Sequence, residues 1–452
     1  MEPTPWTGIE AQLAGLTDPR VERTRIHRLG ELVTIALCAV LCGADDWVAV
    51  ETFGRAKEAW LRTFLTLPGG IPSHDTLGRV FARLDPAEFQ QCFIGWVQAL
   101  LRDADGQVIA VDGKTLRRSA DRDHGRAAVH LVRAWATASQ LVLGQEATAA
   151  KSNEITANPR LLRLLHLEGC VVTIDAMGCQ TAIAAQVQEQ GADYLLALKG
   201  NQPPLKRTVQ TAFADRDPVA MERWEPAAED TIHTLDKGHG RVERRRYHAL
   251  SDPDLLACLD PGGAWPGLRS VVQVQAERRG GAQRSSDTRY YLTSLPPDAA
   301  ILGQAIRQHW QVENNLHWVL DVLFHEDACS VRVGDGAHNL AILRQLALNL
   351  LRQERTHRAA SPPNASALLS TTPTCTCSSA DSRPAIKMQS PCRFVPSPSP
   401  DEGLVHWGAA WRSAARSRIV RRTEDRPGGS WQSRSVRWGP GTDGSRTRSR
   451  KS

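Results

Sequence analysis

Between Ala300 and Asp327, in AILGQAIRQHWQVENNLHWVLDVLFHED, apolar residues recur at helical spacing. Leu302, Ile306, Trp310, Leu316, Leu320 and Phe324 follow one another at steps of four or six. At about 100° per residue, Ile306, Trp310, Leu320 and Phe324 share one stripe, which predicts a single amphipathic helix. Two polar residues fall on that stripe: Glu313 within about 20° of its centre, and His317 on the other side of the midline. An ionised carboxylate on an apolar face is costly unless a metal ion or a buried cation compensates it.

The earlier chain divides by its period. Residues 1–98 read as a helical N-terminal domain: LGELVTIALCAVLCGADDW suits a buried helix, and SHDTLGRVFARLDPAEFQQCFIGWVQALL predicts two more, broken at Asp85–Pro86. Ser73 is placed to cap the first of these two, supported by Thr76. From Gln107 the alternation is that of strands and helices. VIAVDGKT, HLVRAWATAS and LVLGQEAT read as three strands, then come a helix in NPRLLRLLHLE, a strand CVVTID, a helix QTAIAAQVQEQG with a C-capping glycine, and a strand YLLALKG. Strands followed by βαβ units predict a mixed sheet flanked by helices, an α/β fold. Residues 201–295 interrupt it with antiparallel strand patterns, RVERRRYHAL, SVVQVQAER and TRYYLTSL, which predict a β-rich insertion.

Beyond Arg352 periodicity is lost. Residues 353–452 are rich in Ser, Pro, Gly and Arg, which predicts a disordered basic tail or a stretch read in a shifted frame. Composition changes one point here. The chain of 452 residues carries a net charge of +6, but from Glu354 onward it has 17 Lys and Arg against 7 Asp and Glu, so the preceding part is slightly acidic. DNA binding by the folded part is therefore argued from local clusters. Those clusters are Arg20, Arg23, Arg25, His27 and Arg28 near the start, Arg241 and Arg244 to Arg246, and Arg278 with Arg279. The longest early apolar run, Leu32 to Cys42, is too short to cross a bilayer, and no secretory leader is evident, which places the protein in the cytoplasm. The 10 cysteines include no CxxC pair, so neither a zinc site nor a disulfide framework is expected.

The chemistry lies in three carboxylates. Asp112 sits within the strand VIAVDGKT and Asp175 at the end of VVTID, where neighbouring strands can project both toward one site; Glu313 is the third. Two aspartates and a glutamate make an all-oxygen site for magnesium or manganese, and a pair of such ions catalyses in-line phosphoryl transfer. Lys114 and Lys199 stand near the first acid and at the end of YLLALKG, in reach of phosphates; Glu154, Asp321, Glu326 and Asp327 are the competing acids.

With these stretches in view, GIPSHDTLGRVFARLDP, VIAVDGKTLRRS, KSNEI, VTIDAMGCQ, GADYLLALKGNQ, YYLTSLP and IRQHWQVENNLHWVLDVLFHEDA resemble the H-repeat-associated group of bacterial insertion-sequence transposases, a branch of the DDE class. The resemblance spans about residues 18–352. It implies a ribonuclease-H-like catalytic domain over 99–352, with Asp112, Asp175 and Glu313 holding two Mg²⁺ or Mn²⁺ ions. It further implies cleavage of double-stranded DNA at element ends, strand transfer into target DNA, work as a homo-oligomer on that DNA, and residence at the bacterial nucleoid. Related enzymes carry a Tyr and an Arg before the glutamate and a Lys after it; here Ile306, His309 and Leu320 stand there, so Arg307, His309, Asn314 or His317 are the substitutes for gripping DNA. Arg244 and Arg245 are the expected backbone contacts of the insertion. The rival readings are a nuclease of the same fold that cuts without joining, and an inactive DNA-binding relic. A phosphatase or sugar kinase on a related core lacks the Gly-rich phosphate loop it would need.

Overall fold

The computed structural model describes residues 9, 11–100, 106–121, 125, 127–148, 154–214, 228–238, 240–281 and 283–353. The expected basic tail lies outside the described residues apart from its first position.

Ahead of the sheet lie α1 (Leu29–Leu41), α2 (Trp47–Ala56), α3 (Glu58–Leu61), α4 (His74–Phe81) and α5 (Pro86–Leu100). The unbroken apolar run of α1 is buried on every side from Glu31 to Leu41. Glu31 survives there because its Oε1 accepts from the Thr66 and Leu67 amides and the Thr66 hydroxyl. Ser73 caps α4 as expected, its Oγ accepting from the Thr76 amide at 3.3 Å.

The strands follow as β1 (Val108–Thr115), β2 (His130–Ala136) and β3 (Leu141–Thr148). Helix α6 (Glu154–Arg163) begins earlier than the NPRLLR pattern suggests and carries Pro159 inside it. Then come β4 (Val171–Ile174), α7 (Thr181–Glu189), β5 (Asp193–Leu198) and α8 (Pro203–Ala214). The inserted stretch adds β6 (Ala228–Gly238), β7 (Arg241–Ser251), α9 (Pro253–Leu259), β8 (Ser270–Gly280) and β9 (Gln283–Thr293). All nine strands join one sheet in the order β3-β2-β1-β4-β5-β9-β8-β7-β6. β1, β4 and β5 run parallel and every other pairing is antiparallel. The insertion is thus no separate body. β9 takes up the otherwise open edge of β5, Leu195 opposite Thr293 and Leu198 opposite Tyr290, and the meander continues outward from there.

Both faces of the sheet are covered around β1, β4 and β5, where neighbouring residues on a strand alternate between them. Val108, Val171 and Leu195 meet α10 (Ala299–His309) through Leu302, Ala305 and Ile306. Ile109, Val172 and Leu196 belong to the larger cluster, which runs without a break into α1, α5 and α12 (Gly336–Gln353). Asn349 ties α12 to β3, its amide exchanging hydrogen bonds with both backbone groups of Val142 at 2.9 and 2.8 Å.

The carboxylate segment is not one helix. α10 stops at His309, a π-helical turn spans Glu313–His317, and α11 (Trp318–Leu323) follows. The break after His309 falls before both Trp310 and Glu313. Ile306, Leu320 and Phe324 are buried as the stripe predicts, but Trp310 is 45% exposed, and the Glu313 side chain is 63% exposed instead of facing an apolar contact.

Candidate active site

Strand register brings the first two acids together. β1 and β4 are parallel neighbours with Ala110 opposite Thr173 and Val111 opposite Ile174, so the next residues, Asp112 and Asp175, stand side by side where that pairing ends, β1 continuing along β2. Asp175 ends its strand as the cap of a short turn, Oδ1 accepting from the Met177 amide at 3.0 Å. α10 crosses the face of the same strands, held close because Tyr247 packs where a Cβ on Gly303 would stand only 3.1 Å from its ring. The π turn then returns the chain over β1. His317 Nδ1 lies 3.4 Å from Asp112 Oδ2 and 3.8 Å from Glu313 Oε2. One ligand atom from each of Asp112, Glu313 and His317 lies within 4.8 Å of the others. Asp175 stands outside this close group but lines the same cavity of about 400 Å³, with Lys199, Lys206, Thr173 and His309.

The electrostatics separate the acids. Burial raises the Asp112 carboxyl above its ordinary range; His317 opposes this, while Glu313 and Asp175 add like charge. Glu313 moves the other way, drawn down by the His317 imidazole against some desolvation, with Lys114 and His309 helping. Burial pushes His309 down to about 4, and its Nδ1 pairs with the Thr173 hydroxyl at 2.9 Å. At neutral pH it is an uncharged hydrogen-bonding group on the cavity wall. A divalent cation fits this set: the oxygens are hard donors, and it would relieve the like charge around a desolvated Asp112.

The other expected site residues divide by their partners. Lys199 is exposed at the cavity, while Arg244 and Asn314 are exposed on their elements. Lys114 is not free for a phosphate, because its ammonium is ion-paired with Asp321 and its side chain is only 12% exposed. Arg245 is also withdrawn: it faces inward on β7 and pairs with Asp236 and Glu243. Glu326 is bound by Arg133, Glu154 by His130 at 2.6 Å, and Asp327 lies 3.4 Å from Arg117, so none of these acids competes for the cavity. Arg20 is closed by Asp18 and the His27 carbonyl, which leaves Arg23, Arg25 and Arg28 as the exposed members of the early cluster. Lys206 and Thr173 join the site without a signal in the sequence, since one is a helix lysine and the other a buried strand residue.

The sheet and the convergent acids define the class: an α/β protein with an acidic site at the carboxyl edge of parallel strands. Residues 100–350 match the Transposase DDE domain family, to which the chain belongs, and residues 11–97 match the DDE_Tnp_1-associated family. Its function is that of a DDE transposase, an enzyme class of metal-dependent DNA cleavage and strand transfer. The chain is 39% identical over 337 residues to "H repeat-associated putative transposase YhhI" of Escherichia coli (strain K12), covering 74% of this chain and 87% of that one. It is 43% identical over 288 residues to "Uncharacterized protein in dhlA 3'region" of Xanthobacter autotrophicus, covering 63% and 93%. Among solved structures, a piggyBac transposase synaptic complex with hairpin DNA aligns at a TM-score of 0.36 and 9% identity, over 76% of this chain and 71% of that one, a likeness too low to define the fold. No helix among the described residues is long and apolar enough to cross a membrane.

Proposed function

We propose that this chain is the transposase of a bacterial insertion sequence, cutting double-stranded DNA at the element's ends and joining the freed 3′ ends to target DNA as a homo-oligomer. The observation that carries this reading is the meeting of Asp112 and Glu313 from distant parts of the chain, with Asp175 on the same cavity. The strand order β3-β2-β1-β4-β5, with β1, β4 and β5 parallel, supports a ribonuclease-H-like core extended by the β6–β9 meander. Asp112, Asp175 and Glu313 would hold two Mg²⁺ or Mn²⁺ ions. When bound, such ions supply activation of the attacking oxygen and charge stabilisation of the departing one.

The chain's own groups prepare that chemistry. Lys199 and Lys206 bring positive charge to the cavity the acids line, where the phosphodiester anion would lie. His309, uncharged and fixed by Thr173, can donate or accept a hydrogen bond without adding charge. The Lys114–Asp321 pair braces β1 against α11, so Asp112 and Glu313 keep their spacing. No protein nucleophile is needed, because water attacks first and the released 3′-hydroxyl attacks second.

The test uses the full chain, oligonucleotides carrying the repeats that flank its gene, and Mg²⁺. Wild-type protein should yield nicked ends and joined products, and Asp112→Asn, Asp175→Asn and Glu313→Gln should yield neither while keeping the wild-type circular dichroism spectrum. Cut ends without joining would replace the reading by a nuclease, and full activity in one variant would remove that residue from the site.

A further inference from the structure

We propose that His317 is itself a metal ligand, binding through Nδ1 together with Asp112 and Glu313, and that this imidazole makes the site prefer Mn²⁺ over Mg²⁺. The proposal rests on the metal site argued above and adds a residue and a selectivity to it.

His317 is 5% exposed, and its Nδ1 faces the gap between the two carboxylates. At 3.4 and 3.8 Å, both approaches exceed the roughly 2.7–3.2 Å of an N–H···O hydrogen bond. They lie near another spacing. Two neighbouring ligands each about 2.1 Å from one octahedral ion stand about 3.0 Å apart, so a shift of under an ångström would bring both carboxylates and Nδ1 onto one cation. The ring is not held from behind either, since Nε2 is buried without a hydrogen-bond partner. Nδ1 is therefore the nitrogen turned to the acids, and a cation between them would draw it and both carboxylates together. The π turn contributes by presenting Glu313 and His317 on the side of the helix that meets Asp112.

The selectivity follows from donor chemistry. Mg²⁺ favours oxygen ligands and retained water, whereas an imidazole nitrogen raises affinity for ions further along the first transition row. Two carboxylates and one imidazole therefore favour Mn²⁺ more than three carboxylates would.

The experiment is electron spin-echo spectroscopy of Mn²⁺ bound to the DNA-free full chain, with Mn²⁺ and Mg²⁺ titrations beside it. Modulation from a directly coupled ¹⁴N nucleus is expected in wild-type protein, retained in His309→Asn and lost in His317→Asn. His317→Asn should bind Mn²⁺ about tenfold more weakly while Mg²⁺ binding changes far less, because the new side chain offers an amide oxygen. Wild-type protein is read without any variant, so a folding defect in His317→Asn leaves the result decisive. Bound Mn²⁺ that Asp112→Asn abolishes, but that shows no nitrogen coupling, would overturn the role of His317 and keep the acidic site. Absence of Mn²⁺ binding, or binding indifferent to Asp112→Asn, would overturn the metal site itself.

Discussion

Arg133 and Glu326 face each other with no solvent access to either side chain, the guanidinium donating from both terminal nitrogens to both carboxylate oxygens at 2.9 and 2.6 Å. The pair fastens β2 to the segment just after the carboxylate helix, so it holds the third acid's element on the sheet. Removing one partner leaves a buried charge uncompensated. Glu326→Ala should destabilise the fold by about 3–5 kcal/mol. Arg133→Met with Glu326→Leu should recover most of that loss in urea denaturation; a double variant as unstable as the single one would show the pair to be more than mutual compensation.

Gly113 is constrained by the same kind of close approach. A Cβ there would lie 2.3 Å from Glu154 Oε1 and 2.7 Å from His130 Nε2, inside the pair those two residues form. Gly113→Ala should therefore cost about 1–3 kcal/mol and displace β1 beside Asp112. Thermal melting and DNA nicking should fall together, and an unchanged melting temperature would show that the pair gives way freely.

Asp112 sits desolvated among like charges, so its ionised form strains the metal-free protein. Asp112→Asn should raise the metal-free melting temperature and erase the increase that Mg²⁺ or Mn²⁺ gives wild-type protein. A metal-induced increase that persists in Asp112→Asn would place the ion elsewhere.

Partners separate the lysines and arginines that would meet DNA. Lys199→Ala and Lys206→Ala should each lower the salt dependence of DNA binding by about one phosphate contact. Lys114→Ala and Arg245→Ala should leave that slope nearly unchanged, because Asp321, and Asp236 with Glu243, already neutralise those side chains. Equal slopes for all four, measured by fluorescence anisotropy at several salt concentrations, would refute the distinction.

His338 gives a pH dependence away from the site. Burial, reinforced by Arg133, pushes it from the ordinary 6.5 down to about 4. As pH falls from 6.5 toward 4 the unfolded chain takes up the proton first, so folding stability is lost across that window and is fully present above it. His338→Leu should flatten this part of the melting-temperature profile, and an identical slope in the variant would assign the loss to other groups.

The sequence by itself determined most of the elements and singled out three candidate acids. Apolar periodicity places α1, α4, α5 and the strands through β5, and the short apolar runs around Asp112 and Asp175 mark strands whose ends can carry a site, because these signals are local. Periodicity misled where the helix breaks: a stripe drawn through Trp310 and Glu313 assumes one unbroken helix, whereas α10 stops at His309. Tertiary structure alone decided which charges remain available. Lys114, Arg245, Glu154 and Glu326 read in sequence like open groups, yet each meets an oppositely charged or histidine partner brought from elsewhere in the chain or across the sheet. It also decided that the insertion extends the sheet and that His317 looks between Asp112 and Glu313. Such pairings arise only when the sheet orders its strands, and no spacing along one chain encodes a distance between two of them.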